Sequence, residues 1–146
     1  MFTRGRSIHI HAPAEAVFDY VSDLSKHPEW TAQPMQVTVN GPLQPGTTYT
    51  SNAHFQGDIP GKGQVLEVDR PKHFAFDATD SSGHYKWHFD ITPDGDGVHL
   101  DYGFERLSAP LLFRVLQGPV LWPVFGNKWA AQSLERIKAK LEGGAA

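Results

Sequence analysis

The chain reads as an α+β protein in which a run of antiparallel strands is followed by one long C-terminal helix. Two observations predict this. From Met35 to Glu105 the apolar residues recur with a period of two, in short runs separated by Gly, Pro, Asp and Ser. After Pro110 the period changes to that of a helix and holds to Gly143-Gly144. Consecutive strands without helices between them favour an antiparallel sheet over βαβ units.

The elements follow in order. In Ser7–His11, Ile8 and Ile10 alternate with His9 and His11, a half-buried strand. Pro13 suits the first turn of a helix, where its missing N–H costs nothing. Val17, Phe18, Val21 and Leu24 make one apolar stripe, with Glu15, Asp19 and Asp23 on the wet side. Ser25 is expected to cap a short second helix ending at Trp30, which anchors it by packing. Met35, Val37 and Val39 form the next strand, and GPLQPG from Gly41 a loop. Tyr49, Ser51, Ala53 and Phe55 share a strand face, Pro60-Gly61 is expected to turn the chain, and a strand follows from Gly63 to Asp69. Arg70-Pro71 leads into Phe74, Phe76 and Ala78. Tyr85, Trp87, Phe89 and Ile91 alternate with His84, Lys86, His88 and Asp90. Pro93–Gly97 reads as a hairpin, followed by Val98, Leu100, Tyr102 and Phe104. In the last helix Trp122, Trp129, Ala130, Ser133, Leu134, Ile137 and Leu141 share a face.

At 146 residues, with no linker, repeat or low-complexity tract, residues 1–146 are expected to form one domain. The net charge of −3 gives no electrostatic reason to expect nucleic acid. The chain has no cysteine, hence no disulfide, thiol nucleophile or thiolate metal site, which fits a reducing cytoplasm. MFTRGRSIHI lacks the apolar run of a signal peptide. The most apolar segment, Pro110–Phe125, is short of the roughly 20 apolar residues a spanning helix needs and is broken by prolines. A soluble, cytoplasmic protein is expected.

The opening S-I-H-I-H-A-P-A-E-A-V-F-D-Y-V-S-D-L, with P-E-W after it, and this order of elements resemble the START/Bet v 1-like helix-grip superfamily (SRPBCC). Within it the chain is most similar to the bacterial polyketide cyclase/dehydrase and lipid-transport type. The resemblance implies a curved seven-stranded antiparallel sheet around the long C-terminal helix, two short helices between strands 1 and 2, and an apolar cavity between sheet and helix. It also implies a hydrophobic small-molecule ligand, such as a lipid or polyketide, and no cofactor. Carrier, sensor and accessory roles, and a cofactor-independent cyclase, aromatase or dehydratase, all occur on such folds.

If the apolar strand faces point inward, the cavity walls are Tyr49, Ser51, Phe55, Phe74, Phe76, Tyr85, Trp87, Phe89, Tyr102 and Phe104, joined by Trp30, Trp122 and Trp129 from the helices. Hydroxyls and the Trp87 indole N–H are the polar handles. The competing reading is that these rings fill a dry core. No His, Asp or Glu falls on the inward side of a clearly alternating strand, which favours binding over proton transfer. Tyr49, Tyr85 or Tyr102 would assist any catalysis, and Glu67, Asp77 or Arg106 would turn inward only through a bulge.

Other motifs are set aside. His9, His11, His99 and Asp101 read as solvated outer-face residues, with no metal expected. GDIPGKG lacks the spacing of a phosphate loop and reads as a hairpin turn. Asp94 and Asp96 begin like a calcium loop that nothing completes. Pro110–Phe125 is expected to pack under the sheet as the first part of the long helix, kinked at Gly118-Pro119 and Pro123. A lid, or transient membrane or protein contact through residues 110–125, is the competing reading.

Overall fold

The computed structural model describes residues 2–54 and 56–143; Phe55, expected on the third strand's inner face, lies outside them. The alternating segments become strands β1 (Thr3–Ile10), β2 (Met35–Val39), β3 (Thr48–His54), β4 (Asp58–Asp69), β5 (His73–Asp80), β6 (Gly83–Asp94) and β7 (Gly97–Ser108). They form one antiparallel sheet in the order β1-β7-β6-β5-β4-β3-β2. Chain neighbours β1 and β2 thus sit at opposite edges. The segment joining them carries helix α1 (Ala14–Val21) and a 3-10 turn (Leu24–Glu29). After β7 come α2 (Leu111–Leu116), a π-helical stretch (Gln117–Gly126) and α3 (Asn127–Gly143).

Register puts the apolar residues on one face. Ile8 pairs with Leu100 and Ile10 with Val98 across β1 and β7, while Phe89 pairs with Tyr102 and Trp87 with Phe104 across β6 and β7. The core sits between this concave face and the helices. Val17, Phe18 and Val21 of α1, and Leu134 and Ile137 of α3, are at most 1% exposed. Burying each such side chain is worth about 1.5–3 kcal/mol. Helix α3 packs along β1. Its C-terminal end is tied down where Lys138 Nζ donates to the His9 carbonyl at 2.8 Å and the His11 N–H donates to Glu142 at 2.7 Å.

Two local expectations need correction. The 3-10 turn is capped by Asp23, whose carboxylate accepts from the Ser25 N–H at 3.1 Å, and not by Ser25. Pro60-Gly61 does not turn the chain, and GDIPGKG is no hairpin loop: β4 already begins at Asp58, and positive φ falls at Gln56 and Gly57. Pro60 is tolerated in the strand because it lies beyond Lys62↔Thr79, the outermost pair that β4 makes with β5. The Pro93–Gly97 hairpin forms as expected, with Gly95 at φ +64 in its turn.

The segment at 110–125 also departs from a simple core helix. Phe113 and Leu116 are half-buried, but Leu111, Leu112 and Val115 are each more than half exposed. A π-helical stretch takes the place of a sharp kink. Its wider turn accommodates Pro119 and Pro123, which lack the N–H groups of a regular helix. No helix among the described residues is long and apolar enough to cross a membrane.

Candidate functional site

The rings expected on the strand faces converge into one aromatic floor. Phe76 stacks on Phe74 at 5.6 Å between centroids, Phe74 on Phe89 at 6.5 Å, Phe89 on Tyr102 at 4.7 Å and Tyr102 on Trp87 at 5.3 Å. Trp87 then meets Phe104 at 5.0 Å, and Phe104 meets Trp122 of the π-helical stretch at 5.8 Å. Tyr49 joins the other end against Phe76, and Tyr85 lies edge-on to Phe104. Ser51, Trp87, Tyr102 and Trp122 keep partial exposure, so the floor is not sealed. Trp129 packs on Phe125 at 5.6 Å between centroids.

The 3-10 turn presses two residues onto the floor. Leu24, His27 and Trp30 recur every three positions, the period of a 3-10 helix, and all three are buried. The His27 ring lies 4.5 Å from Trp30 and 5.4 Å from Phe76, while Trp30 meets Phe89 at 5.7 Å and Tyr102 at 5.8 Å, both edge-on. His27 Nε2 is 2.9 Å from the Val21 carbonyl. A carbonyl only accepts, so Nε2 carries the proton and Nδ1 is left as an acceptor. Burial pulls the His27 pKa down to about 4.

Polar groups at the floor divide into committed and uncommitted. The Tyr49 hydroxyl donates to the Asp77 carbonyl at 2.6 Å, and the Tyr85 hydroxyl to the Ser82 carbonyl at 2.8 Å. Tyr85 also accepts from Gln117 Nε2 at 3.1 Å, and Gln117 Oε1 accepts from Arg106 at 3.0 Å. Among the described residues, the Trp30 indole N–H is buried with no partner, as is Asn52 Oδ1 on β3. Buried donors are nearly always satisfied, so an orphan in an aromatic wall marks a place where a polar atom is missing. Burial raises the pKa of the Tyr102 hydroxyl, and no other group contributes to that shift. For Tyr49 burial acts first and the nearby Asp77 charge second, also upward.

Of Glu67, Asp77 and Arg106, only Arg106 faces inward, and no bulge puts it there. It follows Phe104 by two along β7 and lies opposite Tyr85 in unbroken register, and the slip between His84 and Tyr85 comes only after this pair. Glu67 stays on the outer face with Lys86 and His73, and the Asp77 carboxylate with His84. His54, His88 and His99 likewise pair with carboxylates at the surface. His9, His11 and Asp96 bring donor atoms within 4.8 Å of one another. Yet His9 Nε2 lies 3.0 Å from the Asp94 carbonyl and so carries a proton, and His11 Nδ1 is engaged by Asp96 at 3.1 Å. This arrangement is one of His–Asp pairs.

Two depressions, of about 380 and 480 Å³, lie away from the floor. The first runs between α1, the 3-10 turn and the loop after β2, lined by Asp19, Ser22, Val39, Leu43 and Thr47 among others. The second sits between Glu29 and the C-terminal turns of α3. In this conformation the rings of the floor close on one another.

A curved antiparallel sheet, a long C-terminal helix packed on its concave side and a short helical pair between its first two strands define a helix-grip protein of the SRPBCC type. Residues 1–142 match the family described as polyketide cyclase / dehydrase and lipid transport, and the chain belongs to that family. None of the curated proteins matches it in sequence. Among solved structures it is similar to protein CV1439 from Chromobacterium violaceum, at 17% identity, TM-score 0.73 and coverage of 97% of this chain and 99% of that one. It is also similar to TTHA0849 from Thermus thermophilus, at 15% identity, TM-score 0.78 and coverage of 99% and 100%. The di-domain ARO/CYC StfQ from the steffimycin biosynthetic pathway shares the fold at 10% identity and TM-score 0.77. There the match covers 98% of this chain and 51% of that one.

Proposed function

We propose that the protein binds a hydrophobic small molecule of the lipid or polyketide kind against the aromatic floor, as a carrier, sensor or accessory protein of the cytoplasm. The observation that carries this reading is the unpartnered indole N–H of Trp30, buried at the junction of Phe89 and Tyr102. A ligand carbonyl or hydroxyl placed there satisfies a donor that the fold leaves stranded, while the rings supply apolar contact. The rings touch one another, so a ligand seated on the floor parts them. The partly covered Trp87, Tyr102 and Trp122 mark where the floor is least sealed.

Native mass spectrometry of the purified protein should find one hydrophobic molecule per chain, displaced by an environment-sensitive naphthalene dye. Trp30→Phe keeps most of the ring and removes the donor, so affinity should fall by roughly three- to tenfold, one hydrogen bond's worth. Dye binding that is absent, or identical in wild type and Trp30→Phe, would overturn the assignment of this site.

A cyclase- or dehydratase-type activity is the second reading, supported by the family and by the shared fold of the ARO/CYC. Of the three floor tyrosines, Tyr49 and Tyr85 already donate to backbone carbonyls, which leaves the Tyr102 hydroxyl and His27 Nδ1 to act. With its pKa raised, Tyr102 orients a carbonyl more readily than it gives up a proton. On this reading Tyr102→Phe lowers turnover of a linear polyketide analogue at least roughly tenfold, and unchanged turnover removes Tyr102 from the chemistry.

A further inference from the structure

The face formed by α2 and the π-helical stretch is at once apolar and free of acids. Leu111 is 66% exposed, Leu112 64%, Val115 59%, Val124 56% and Val120 40%. Large apolar side chains grouped in this way mark a contact surface, in contrast to scattered single ones. The charge around them is lopsided. The chain has 16 acidic residues and a net charge of −3, yet no Asp or Glu occurs between Glu105 and Glu135, nor before Glu15. Within those two stretches lie Arg4, Arg6, Arg106, Arg114 and Lys128.

The fold brings the two stretches together. A Cβ built on Gly118 of the π-helical stretch would lie 3.8 Å from Arg4 Nη2 and 3.5 Å from the ring of Phe2. Arg6 donates to Asn127 Oδ1 at 2.9 Å, where the π-helical stretch passes into α3. The guanidinium groups of Arg4 and Arg106 lie over the Phe2 ring at 4.3 and 4.6 Å. Among the described residues, none of these five cations is in an ion pair with a carboxylate. Arg4, Arg6, Arg114 and Lys128 are exposed.

We propose that this face docks reversibly on the surface of an anionic lipid bilayer. Leucines and valines inserted among the acyl chains, with arginines and a lysine at the headgroup level, form the arrangement by which interfacial segments bind. The missing acids select against a neutral or cationic partner, and each cation near an anionic surface contributes roughly fivefold in affinity. No described helix is long and apolar enough to span, so the attachment we infer is peripheral. This inference stands on the exposed face alone and holds whether or not the aromatic floor takes a ligand.

The test is co-sedimentation of the whole protein with vesicles of phosphatidylcholine, alone or mixed with phosphatidylglycerol. Wild type should pellet with the mixed vesicles, much less with phosphatidylcholine alone, and lose binding as salt rises. Leu112→Glu and Val124→Glu should each cut binding about tenfold, and Arg114→Glu with Lys128→Glu should abolish the preference for phosphatidylglycerol. All these positions are exposed, and thermal melting checks that each variant is folded. Equal sedimentation of wild type and Leu112→Glu, or no binding to either vesicle, would overturn the proposal. So would a concentration-dependent dimer in size-exclusion light scattering that Leu112→Glu dissolves, since the face would then belong to a second copy of the chain.

Discussion

Burial holds the His27 imidazole near a pKa of about 4, well under the 6.5 of an exposed histidine. Between these values the unfolded chain takes up a proton that the folded chain refuses, so stability falls as pH drops through that window and is fully present above it. The contribution is on the order of 3 kcal/mol between pH 7 and pH 4. His73, raised by Glu67 and Asp90 despite the opposing effect of burial, acts in the opposite direction. Its stabilisation is present at low pH and fades as pH rises through its folded value, but the ring is a surface one and its effect is screened. Urea unfolding of wild type should therefore weaken from pH 7 to pH 5, and His27→Gln should flatten that slope. Equal slopes would mean that His27 is solvated in the native state. Trp30 is recognisable from its sequence as a packing anchor, but its stranded N–H is not, because satisfaction depends on neighbours from β6 and β7. His27 was legible in principle, since Leu24, His27 and Trp30 repeat at the 3-10 period.

At the scale of elements, β4 shows how one small residue sets the fit between strands. A Cβ at Gly63 would collide with the Asp77 carbonyl oxygen on β5 and come within 2.8 Å of the Tyr49 ring on β3. Gly63 thereby lets the Tyr49 hydroxyl reach that same carbonyl. Gly63→Ala should cost about 2 kcal/mol, lowering the melting temperature by roughly 4–8 °C; an unshifted melt would mean that β4 and β5 slide apart freely. Alternation placed most strands and their inner faces correctly, since period two is a property of the strand itself. It failed at Pro60, where a proline signals a turn unless the neighbouring strand has already ended, which only the pairing of β4 with β5 reveals. Arg106 follows Phe104 by two on β7 and faces inward by plain alternation, so no bulge was needed to place it. In 110–125 the prolines foretold an interruption, but not that it would be spread over a π-helical stretch with its apolar side chains facing out.

For the whole molecule, the sheet order and the helical pair between its edges follow from element order and a resemblance that spans the chain. What fills the space between sheet and helices does not, because it is decided by distances between rings far apart in sequence. Phe74, Phe89, Tyr102 and Trp87 come from β5, β6 and β7 and stack into a floor, with Trp30 brought in by the helical pair. Ligand binding and lipid docking would then occupy different surfaces, the concave floor and the acid-free face of residues 107–128. The most direct test of the binding site is the side-chain N–H resonance of Trp30 in a ¹⁵N-labelled sample titrated with a long-chain fatty acid below its micelle-forming concentration. A saturable shift of that resonance is expected, with amides of β6 and β7 moving in step. A Trp30 resonance that stays fixed while only residues 107–128 respond would contradict it.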